Sequence, residues 1–126
     1  MVVDTGDGAA AAQGAYRLER AAGGAVVVEL LGEHDLETTP HLREVLHSLI
    51  ASHDLVVLDL NGALFIDSSV MLMVVQAHRL AVDTDTHFRL VIDGATTVHR
   101  VLEISKVLEH CDVAPTRELA LADRVV

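Results

Sequence analysis

Two neighbouring serines follow an aspartate at the start of an apolar segment. Asp67, Ser68 and Ser69 directly precede the run from Val70 to Val75, which is typical of a buried helix. The N–H groups and the dipole at the N-terminus of a helix favour negative charge, so a serine held there is suited to accept a phosphate. The same position also suits a serine that only caps the helix. From the local chemistry, Ser68 is a candidate for either role.

The acids near these serines offer a second kind of chemistry. Asp35 and Asp67 can be interpreted as a carboxylate pair for acid–base catalysis, or as a solvated loop acid and an acid at a helix start. We favour the second interpretation, because no other catalytic feature accompanies them. Ser68 also lacks the glycine-flanked elbow of a hydrolase nucleophile, and no partner histidine can be placed. We therefore expect that the chain is not an enzyme.

Histidine and cysteine are the residue types that could bind a transition metal. No two of the eight histidines form a pair four residues apart on one helix, and Cys111 is the only cysteine. We expect no zinc site and no cofactor, and we expect the histidines at the surface. Cys111 is interpreted as a small, partly buried hydrophobic residue rather than a reactive thiol, and a single cysteine is compatible with a reducing compartment.

The composition describes an acidic domain with an aliphatic core. The 126 residues suffice for one domain, aromatic residues make up 2%, and the formal net charge is −10. This charge argues against binding to nucleic acid or to anionic membrane surfaces, and it suits a basic protein partner. The sequence contains neither a recognisable secretory signal nor a credible membrane span, so we expect a cytoplasmic protein.

Strands and a helix come before the serines and must help to position them. Residues 1–15, rich in Gly, Ala and Asp, are expected to form a flexible leader, and residues 16–126 to form one domain. Tyr16–Arg20 and Ala25–Leu31 predict a hairpin around a glycine-containing turn. Gly32–Asp35 is expected to end the second strand.

The first helix has a clear start and a continuous apolar face. Thr39 as the cap and Pro40 as the first helical residue predict its beginning, and His53 and Asp54 its end. The apolar face consists of Leu42, Val45, Leu46, Leu49 and Ile50. Leu55–Leu60, which follows, is nearly all aliphatic, as expected for a strand that is covered on both faces.

Further strands and helices alternate to the end of the chain. They are a helix from Ser68 or Ser69 to about Val82, a strand over Phe88–Ile92, a helix capped by Thr96 or Thr97, a loop with a short edge strand over Val107–Val113, and a terminal helix over Thr116–Arg124. Met71 and Met73 are expected to fill the core, with an adaptable contact surface as the alternative. Together these elements predict an α/β fold with one mixed sheet and helices packed on it.

The order of these elements also carries a family resemblance. The residues that carry it are Gly32–Asp35, Val57–Leu60, Phe65–Ser69, Val98–Glu103 and Ala120–Leu121. In this order and spacing, the chain from Tyr16 to Leu121 resembles the STAS domain family and, within it, the bacterial anti-sigma factor antagonists. The resemblance implies a single STAS-like domain with a four- to five-stranded mixed β-sheet and helices packed mainly on one face.

The resemblance further implies a partner and a switch. In antagonists of this type the unmodified form binds an anti-sigma factor that is also a serine-protein kinase, which frees a sigma factor, and phosphorylation by that kinase breaks the complex. The acceptor corresponds to Ser68, with Ser69 as the alternate, and the free protein is expected to be a monomer. The residues implied in partner binding are Asp35, Thr38, Asp67, Ser68, Ser69, Val70 and Met71.

At three positions the sequence departs from the family pattern. Val70 stands where a glycine is usual, and its branched side chain is expected at the partner contact. His34 replaces a leucine, and Lys106 replaces a glycine, which predicts different backbone angles after Ser105. Val70 favours the alternative function, a constitutive STAS module that binds another protein or a small ligand without phosphorylation.

Overall fold

The computed structural model describes residues 14–122 of the chain. In this part the elements are β1 (Tyr16–Ala21), β2 (Ala25–Leu30), β3 (Gly32–His34), α1 (Thr39–Ser52), β4 (Leu55–Asp59), β5 (Ala63–Ile66), α2 (Ser68–Asp83), β6 (His87–Val91), α3 (Thr97–Ile104), a 3-10 helix (Val107–His110), β7 (Asp112–Ala114) and α4 (Arg117–Ala122). The predicted leader up to residue 13 and the predicted helix end at Arg124 lie outside the described residues.

Five strands form the central sheet, in the order β1-β2-β4-β6-β7. β1 pairs antiparallel with β2, whereas the pairs β2–β4, β4–β6 and β6–β7 are parallel. The hairpin turns at Gly23 and Gly24, whose φ values of 72° and 78° lie in the left-handed region that glycine adopts without strain. The predicted mixed sheet of four to five strands is confirmed.

The two faces of this sheet bury different sets of side chains. Val26, Val28 and Leu58 pack with α1, α2 and α3 in the main core, whereas Val27 and Val57 pack against α4. This division follows from the strand period of two, which sends successive side chains to opposite faces. Three of the four α-helices in the described residues cover one face, which confirms the predicted arrangement.

A second, two-stranded sheet is not predicted by the sequence. β3 and β5 pair in parallel, and their last residues lie opposite each other in the ladder. Gly62, directly before β5, packs closely against the end of β2, because a Cβ atom at this residue would lie 2.9 Å from the carbonyl oxygen of Leu30. Asp35 and Asp67, which directly follow the two strands, are therefore brought together although they are far apart in sequence.

The start of α1 differs from the prediction. Thr38, not Thr39, is the N-cap residue, and Thr39 is the first residue of the helix, followed by Pro40. The side chain of Thr39 is buried, with 1% of its surface exposed. The predicted end is confirmed, since His53 is the C-cap residue.

Two residues before the predicted start of the domain, Gly14 and Ala15, are already bonded to it. Gly14 donates its N–H to the carbonyl oxygen of Glu33, and the carbonyl oxygen of Ala15 accepts the N–H of Leu31, both at 2.9 Å. Ala15 is fully buried. The expectation of a flexible leader is therefore wrong for its last two residues, which are fixed to the edge of the domain.

The segment after α3 keeps a left-handed turn without glycine. Lys106 has a φ of 65°, in the left-handed region that favours glycine. The 3-10 helix Val107–His110 and the edge strand β7 follow, where a loop with a short edge strand was predicted. Within residues 14–122, no helix combines the length and the apolar character needed to cross a membrane.

Candidate functional site

Asp67 begins α2 and fixes the geometry around both serines. It occupies the N-cap position, and its Oδ1 accepts the N–H of Ser69 at 2.9 Å and that of Val70 at 3.3 Å. These bonds satisfy two of the N–H groups that the first turn of a helix leaves without partners. The interpretation of Ser68 as the cap is therefore wrong, because Ser68 is the first helical residue.

The second carboxylate oxygen of Asp67 holds the loop between β3 and α1. Oδ2 accepts the N–H of Leu36 at 3.1 Å. Burial acts to raise the pKa of Asp67, but hydrogen bonds from the Ser69 hydroxyl and from the N–H groups of Val70, Ser69 and Leu36 hold this pKa below its usual value. The ionised carboxylate of Asp67 thus joins the loop to the start of α2 through hydrogen bonds.

The Ser68 hydroxyl is free at the surface. Ser68 is exposed, and its hydroxyl forms no hydrogen bond with any other residue between 14 and 122. It lies in the first turn of α2, where the backbone N–H groups and the helix dipole favour negative charge. A phosphate on this oxygen would extend into solvent without displacing another side chain.

The Ser69 hydroxyl, in contrast, is held between two neighbours. It donates to Oδ1 of Asp67 at 2.5 Å and lies 2.8 Å from the hydroxyl oxygen of Thr39. The hydroxyl of Thr39 donates its one proton to the carbonyl oxygen of Asp35 at 2.6 Å. Two serines that look equivalent in the sequence therefore have opposite environments.

The loop before α1 carries two more of the predicted partner residues, Asp35 and Thr38. Oγ1 of Thr38 accepts the N–H of Asp35 and donates to its carbonyl oxygen, both at 3.1 Å. Oδ1 of Asp35 accepts the N–H of Glu37 at 2.9 Å. These bonds shape a tight loop, and the bond between Leu36 and Asp67 places this loop next to α2.

Two further predicted partner residues, Val70 and Met71, face inward. Val70 is 1% exposed and belongs to the main core, so its branched side chain does not lie at the partner contact where it was expected. Met71 is half-buried against the same core, and Met73 is fully buried in it. Both methionines therefore fill the core, as predicted.

Three exposed apolar side chains near Ser68 are missing from the predicted site. Leu36, Phe65 and Leu72 are 71%, 50% and 54% exposed. Leu36 is bonded to Asp67 through its N–H, Phe65 lies in β5 two residues before Asp67, and Leu72 follows Ser68 by one turn on the same side of α2. Exposed apolar clusters mark interaction sites. We call Leu36, Phe65, Ser68 and Leu72 the docking surface.

Acidic side chains border the docking surface. Glu33 lies opposite Phe65 in the ladder between β3 and β5, and Asp35 and Glu37 flank Leu36 in the chain. The combination of apolar area and negative charge fits a face with apolar and basic residues. The feature of the sequence that could have indicated this surface is Leu36, because it is an apolar residue between two acids in a loop.

His34 is buried, contrary to the expectation that the histidines lie at the surface. It is 1% exposed, and its Nε2 lies 3.0 Å from the carbonyl oxygen of Ala15 and 3.1 Å from that of Leu31. Its Nδ1 is buried and has no hydrogen-bond partner within residues 14–122. Burial lowers the pKa of His34, although both hydrogen bonds and the charge of Asp35 act to raise it. His34 is therefore a neutral side chain that ties the N-terminal residues to β3.

The described part of the chain offers little for metal or thiol chemistry. Between residues 14 and 122 there is no group of three or more His, Cys, Asp or Glu side chains that could hold a metal ion. Cys111 is half-buried against the main core, and burial together with the charge of Asp112 raises its pKa to about 11. Its thiol is therefore protonated at neutral pH and a weak nucleophile.

Comparisons with known proteins match most of the chain. The family model of the STAS domain matches residues 17–120. An anti-sigma factor antagonist from Mycobacterium paratuberculosis has a similar structure, with 25% identity, a TM-score of 0.75, and 85% of this chain and 90% of that chain covered. The Bacillus cell fate determinant SpoIIAA in its phosphorylated form has 22% identity and a TM-score of 0.64, over 86% of this chain and 97% of that chain. The unphosphorylated form of the anti-sigma factor antagonist SpoIIAA has 20% identity and a TM-score of 0.68, over 87% and 96%. No curated protein matches the sequence.

Proposed function

The chain belongs to the STAS domain family, and from this premise we propose that it is an anti-sigma factor antagonist, cytoplasmic, monomeric when free and not itself an enzyme. The unmodified form binds an anti-sigma factor that is a serine-protein kinase and thereby frees a sigma factor. Phosphorylation of Ser68 ends this binding. The observation that carries the proposal is the exposed Ser68 hydroxyl at the start of α2, among the residues of the docking surface. The structural similarity to the mycobacterial antagonist supports it.

The chemistry of the docking surface favours a protein partner. Leu36, Phe65 and Leu72 present apolar area from three different elements of the chain. Exposed Glu33 and Glu37 add charge at the border. An apolar centre with a charged rim is typical of protein interfaces, and the net charge of −10 favours a partner with a basic rim.

Phosphorylation transfers the γ-phosphoryl group of ATP, bound by the kinase, to Ser68. Oγ of Ser68 forms a bond to the γ-phosphorus, while the bond from that phosphorus to the oxygen bridging to the β-phosphate breaks. ADP leaves with the electron pair, and the hydroxyl proton passes to a base of the kinase. This chain supplies the accessible oxygen and a helix N-terminus that accommodates the added charge.

A phosphate on Ser68 opposes docking through charge and size. It adds about −1.5 to −2 charges at pH 7 to a surface that is already acidic. The carboxylate of Asp67 repels the phosphate, whereas the N-terminus of α2 stabilises it. Because the repulsion and the stabilisation are local and oppose each other, the domain stays folded. The partner is lost because the added charge and size block its contact with Ser68.

Incubation with the cognate anti-sigma kinase and ATP tests the switch. The intact mass should rise by about 80 Da, and Ser68→Ala should abolish the increase. Ser68→Asp should weaken partner binding by about tenfold or more, because it places a charge in the centre of the contact. Ser48→Asp, the same substitution at an exposed position of α1, should bind like the unmodified protein.

Two results would count against phosphorylation as the switch. Equal affinities of Ser68→Asp, Ser68→Ala and the unmodified protein would show that Ser68 lies outside the contact. Tight partner binding without a mass increase would support the alternative, a constitutive STAS module that binds another protein or a small ligand without phosphorylation.

A further inference from the structure

We infer that Thr39 selects Ser68 over Ser69 as the phosphate acceptor, by holding the Ser69 hydroxyl between α1 and α2. The inference rests on the proposed function for its reaction, the transfer of a phosphoryl group from ATP to a serine oxygen. Thr39 is a positioning residue in this reaction, because it acts on the neighbouring serine and not on the nucleotide.

Three short contacts engage the hydroxyl groups of Ser69 and Thr39. The Ser69 oxygen lies 2.5 Å from Oδ1 of Asp67 and 2.8 Å from the Thr39 oxygen, which lies 2.6 Å from the carbonyl oxygen of Asp35. Each hydroxyl has one proton, and the Asp67 and Asp35 oxygens have none, so two of these three contacts are hydrogen bonds and the third is a close approach of two oxygens. Thr39 is 1% exposed. The half-buried Ser69 thus has its oxygen between a carboxylate on one side and a buried side chain on the other.

Phosphorylation of Ser69 would require this arrangement to open. A new O–P bond at Ser69 would place three charged oxygens beside the carboxylate of Asp67 and against the buried side chain of Thr39. The like charges repel, and the Thr39 oxygen, 2.8 Å from the Ser69 oxygen, lies where the phosphate would need room. Ser68 needs neither change, because its hydroxyl is exposed.

Substitution of Thr39 can alter the choice between Ser68 and Ser69 without disturbing the rest of the site. Asp67 also caps α2 and holds the loop before α1, so its replacement disturbs the whole site. The carbonyl oxygen of Asp35, the other partner of the Thr39 hydroxyl, also accepts the N–H groups of Thr38 and Thr39. Loss of the Thr39 hydroxyl therefore leaves that oxygen satisfied, and its specific consequence is that the Ser69 oxygen loses its contact with α1 and keeps only the bond to Asp67.

Phosphate mapping in a variant without Ser68 tests the selection. With the anti-sigma kinase and ATP, Ser68→Ala should carry no phosphate, whereas Ser68→Ala combined with Thr39→Ala should carry phosphate on Ser69. Thr39→Ser is the matched control, because it keeps the hydroxyl and removes only a methyl group. Ser68→Ala combined with Thr39→Ser should therefore stay unmodified, a difference that a merely structural role of Thr39 would not produce. Phosphate on Ser69 in Ser68→Ala alone would overturn the inference.

A thiol at each position tests the same selection without a kinase. In a Cys111→Ala background, Ser68→Cys and Ser69→Cys each provide a single thiol whose alkylation by iodoacetamide reports its accessibility. Ser68→Cys should react roughly tenfold faster than Ser69→Cys. Adding Thr39→Ala, but not Thr39→Ser, should accelerate the reaction of Ser69→Cys. Equal rates at the two positions in the presence of Thr39 would contradict the inference.

The two experiments separate the inference from the proposed function. A protected thiol at position 69, together with no phosphate on the unaltered protein, would reject the proposed function and uphold the enclosure of Ser69 by Thr39. Phosphate on both serines of the unaltered protein would uphold the proposed function and reject the selection by Thr39.

Discussion

At the scale of single residues, one carboxylate connects the fold to the site. Asp67 caps α2 and accepts hydrogen bonds from the hydroxyl of Ser69 and from the N–H of Leu36. Its two oxygens thereby fix the helix start and the neighbouring loop at the same time. Because these bonds stabilise the ionised form, the site should be sensitive to acid through this residue.

Asp67→Ala should lower the free energy of unfolding by about 1 kcal/mol at neutral pH, the usual cost of losing a helix cap. Folding holds the pKa of Asp67 below its usual value. The contribution of the carboxylate is therefore fully present above the unfolded pKa of about 4 and is lost as the pH falls through the lower folded pKa. Urea denaturation should show a difference between the two proteins that shrinks in acid. Asp83→Ala, at the exposed end of the same helix, should cause no comparable loss.

His34→Leu should change how stability depends on pH. Because burial holds the pKa of His34 below its usual value of about 6.5, the unfolded chain binds a proton below this pH that the folded protein does not. The stability of the unaltered protein should therefore decline as the pH falls below about 6.5, and the leucine variant should lack this part of the decline. Denaturation midpoints across this range measure the effect. His110→Leu, at an exposed position, is the control, and an identical decline in His34→Leu would contradict the prediction.

The sequence predicts which residues lie at the site, but it does not predict the structural role of each residue equally well. Ser68 and Ser69 cannot be distinguished by local pattern, because the contact that encloses Ser69 comes from Thr39, 30 positions earlier in the chain. Val70 directly follows the two serines, yet the helical rotation turns its side chain into the core. Burial and long-range hydrogen bonds decide these roles, and neither is visible in the spacing of residue types.

At the scale of elements, the long segments follow from the sequence and the short ones do not. Leu55–Asp59 and the helix Thr39–Ser52 have continuous apolar patterns, which their packing requires. β3 and β5 have only three and four residues, too few to establish a period. In β5 the neighbours Leu64 and Phe65 are both exposed, so even its short sequence does not alternate. Yet this small sheet brings the two halves of the site together.

The last helix of the described residues is joined to the sheet by charge as well as by apolar packing. α4 has six residues, and its first, Arg117, contacts Asp59 at 2.5 Å, Glu19 at 2.7 Å and Glu29 at 3.1 Å. One guanidinium group thus joins α4 to three strands. The carboxylate of Asp59 is almost fully buried, so it depends on this positive charge.

Arg117→Met should lower the free energy of unfolding by roughly 3 kcal/mol, because it leaves a buried carboxylate without its cation. Adding Asp59→Asn should recover part of this loss, since the uncompensated charge is then removed. A double-mutant cycle from urea denaturation measures the coupling. Arg79→Met, at an exposed position of α2, is the control and should change stability by less than about 0.5 kcal/mol. Additive effects of Arg117→Met and Asp59→Asn would contradict the assigned role of the ion pair.

At the scale of the whole molecule, added charge at Ser68 should leave the fold intact. Ser68→Asp places a negative charge in the first turn of α2, where the helix dipole favours it and no side-chain hydrogen bond is lost. The free energy of unfolding should therefore change by no more than about 0.5 kcal/mol, and the far-UV circular dichroism should be unchanged. A large loss of helicity would mean that phosphorylation acts by unfolding the domain rather than by blocking the docking surface.

The acidic charge of the molecule should control how fast the partner binds. Glu33 lies at the border of the docking surface, and its reversal in Glu33→Lys should lower the association rate constant several-fold at low salt. Screening shortens the range of this attraction to about 3 Å at 1 M salt, so the difference should vanish there while the dissociation rate changes little. Glu109→Lys changes the net charge equally from an exposed position in the 3-10 helix. If Glu109→Lys slowed association as much as Glu33→Lys, total charge would govern the encounter, and the local border of acids would have no separate role.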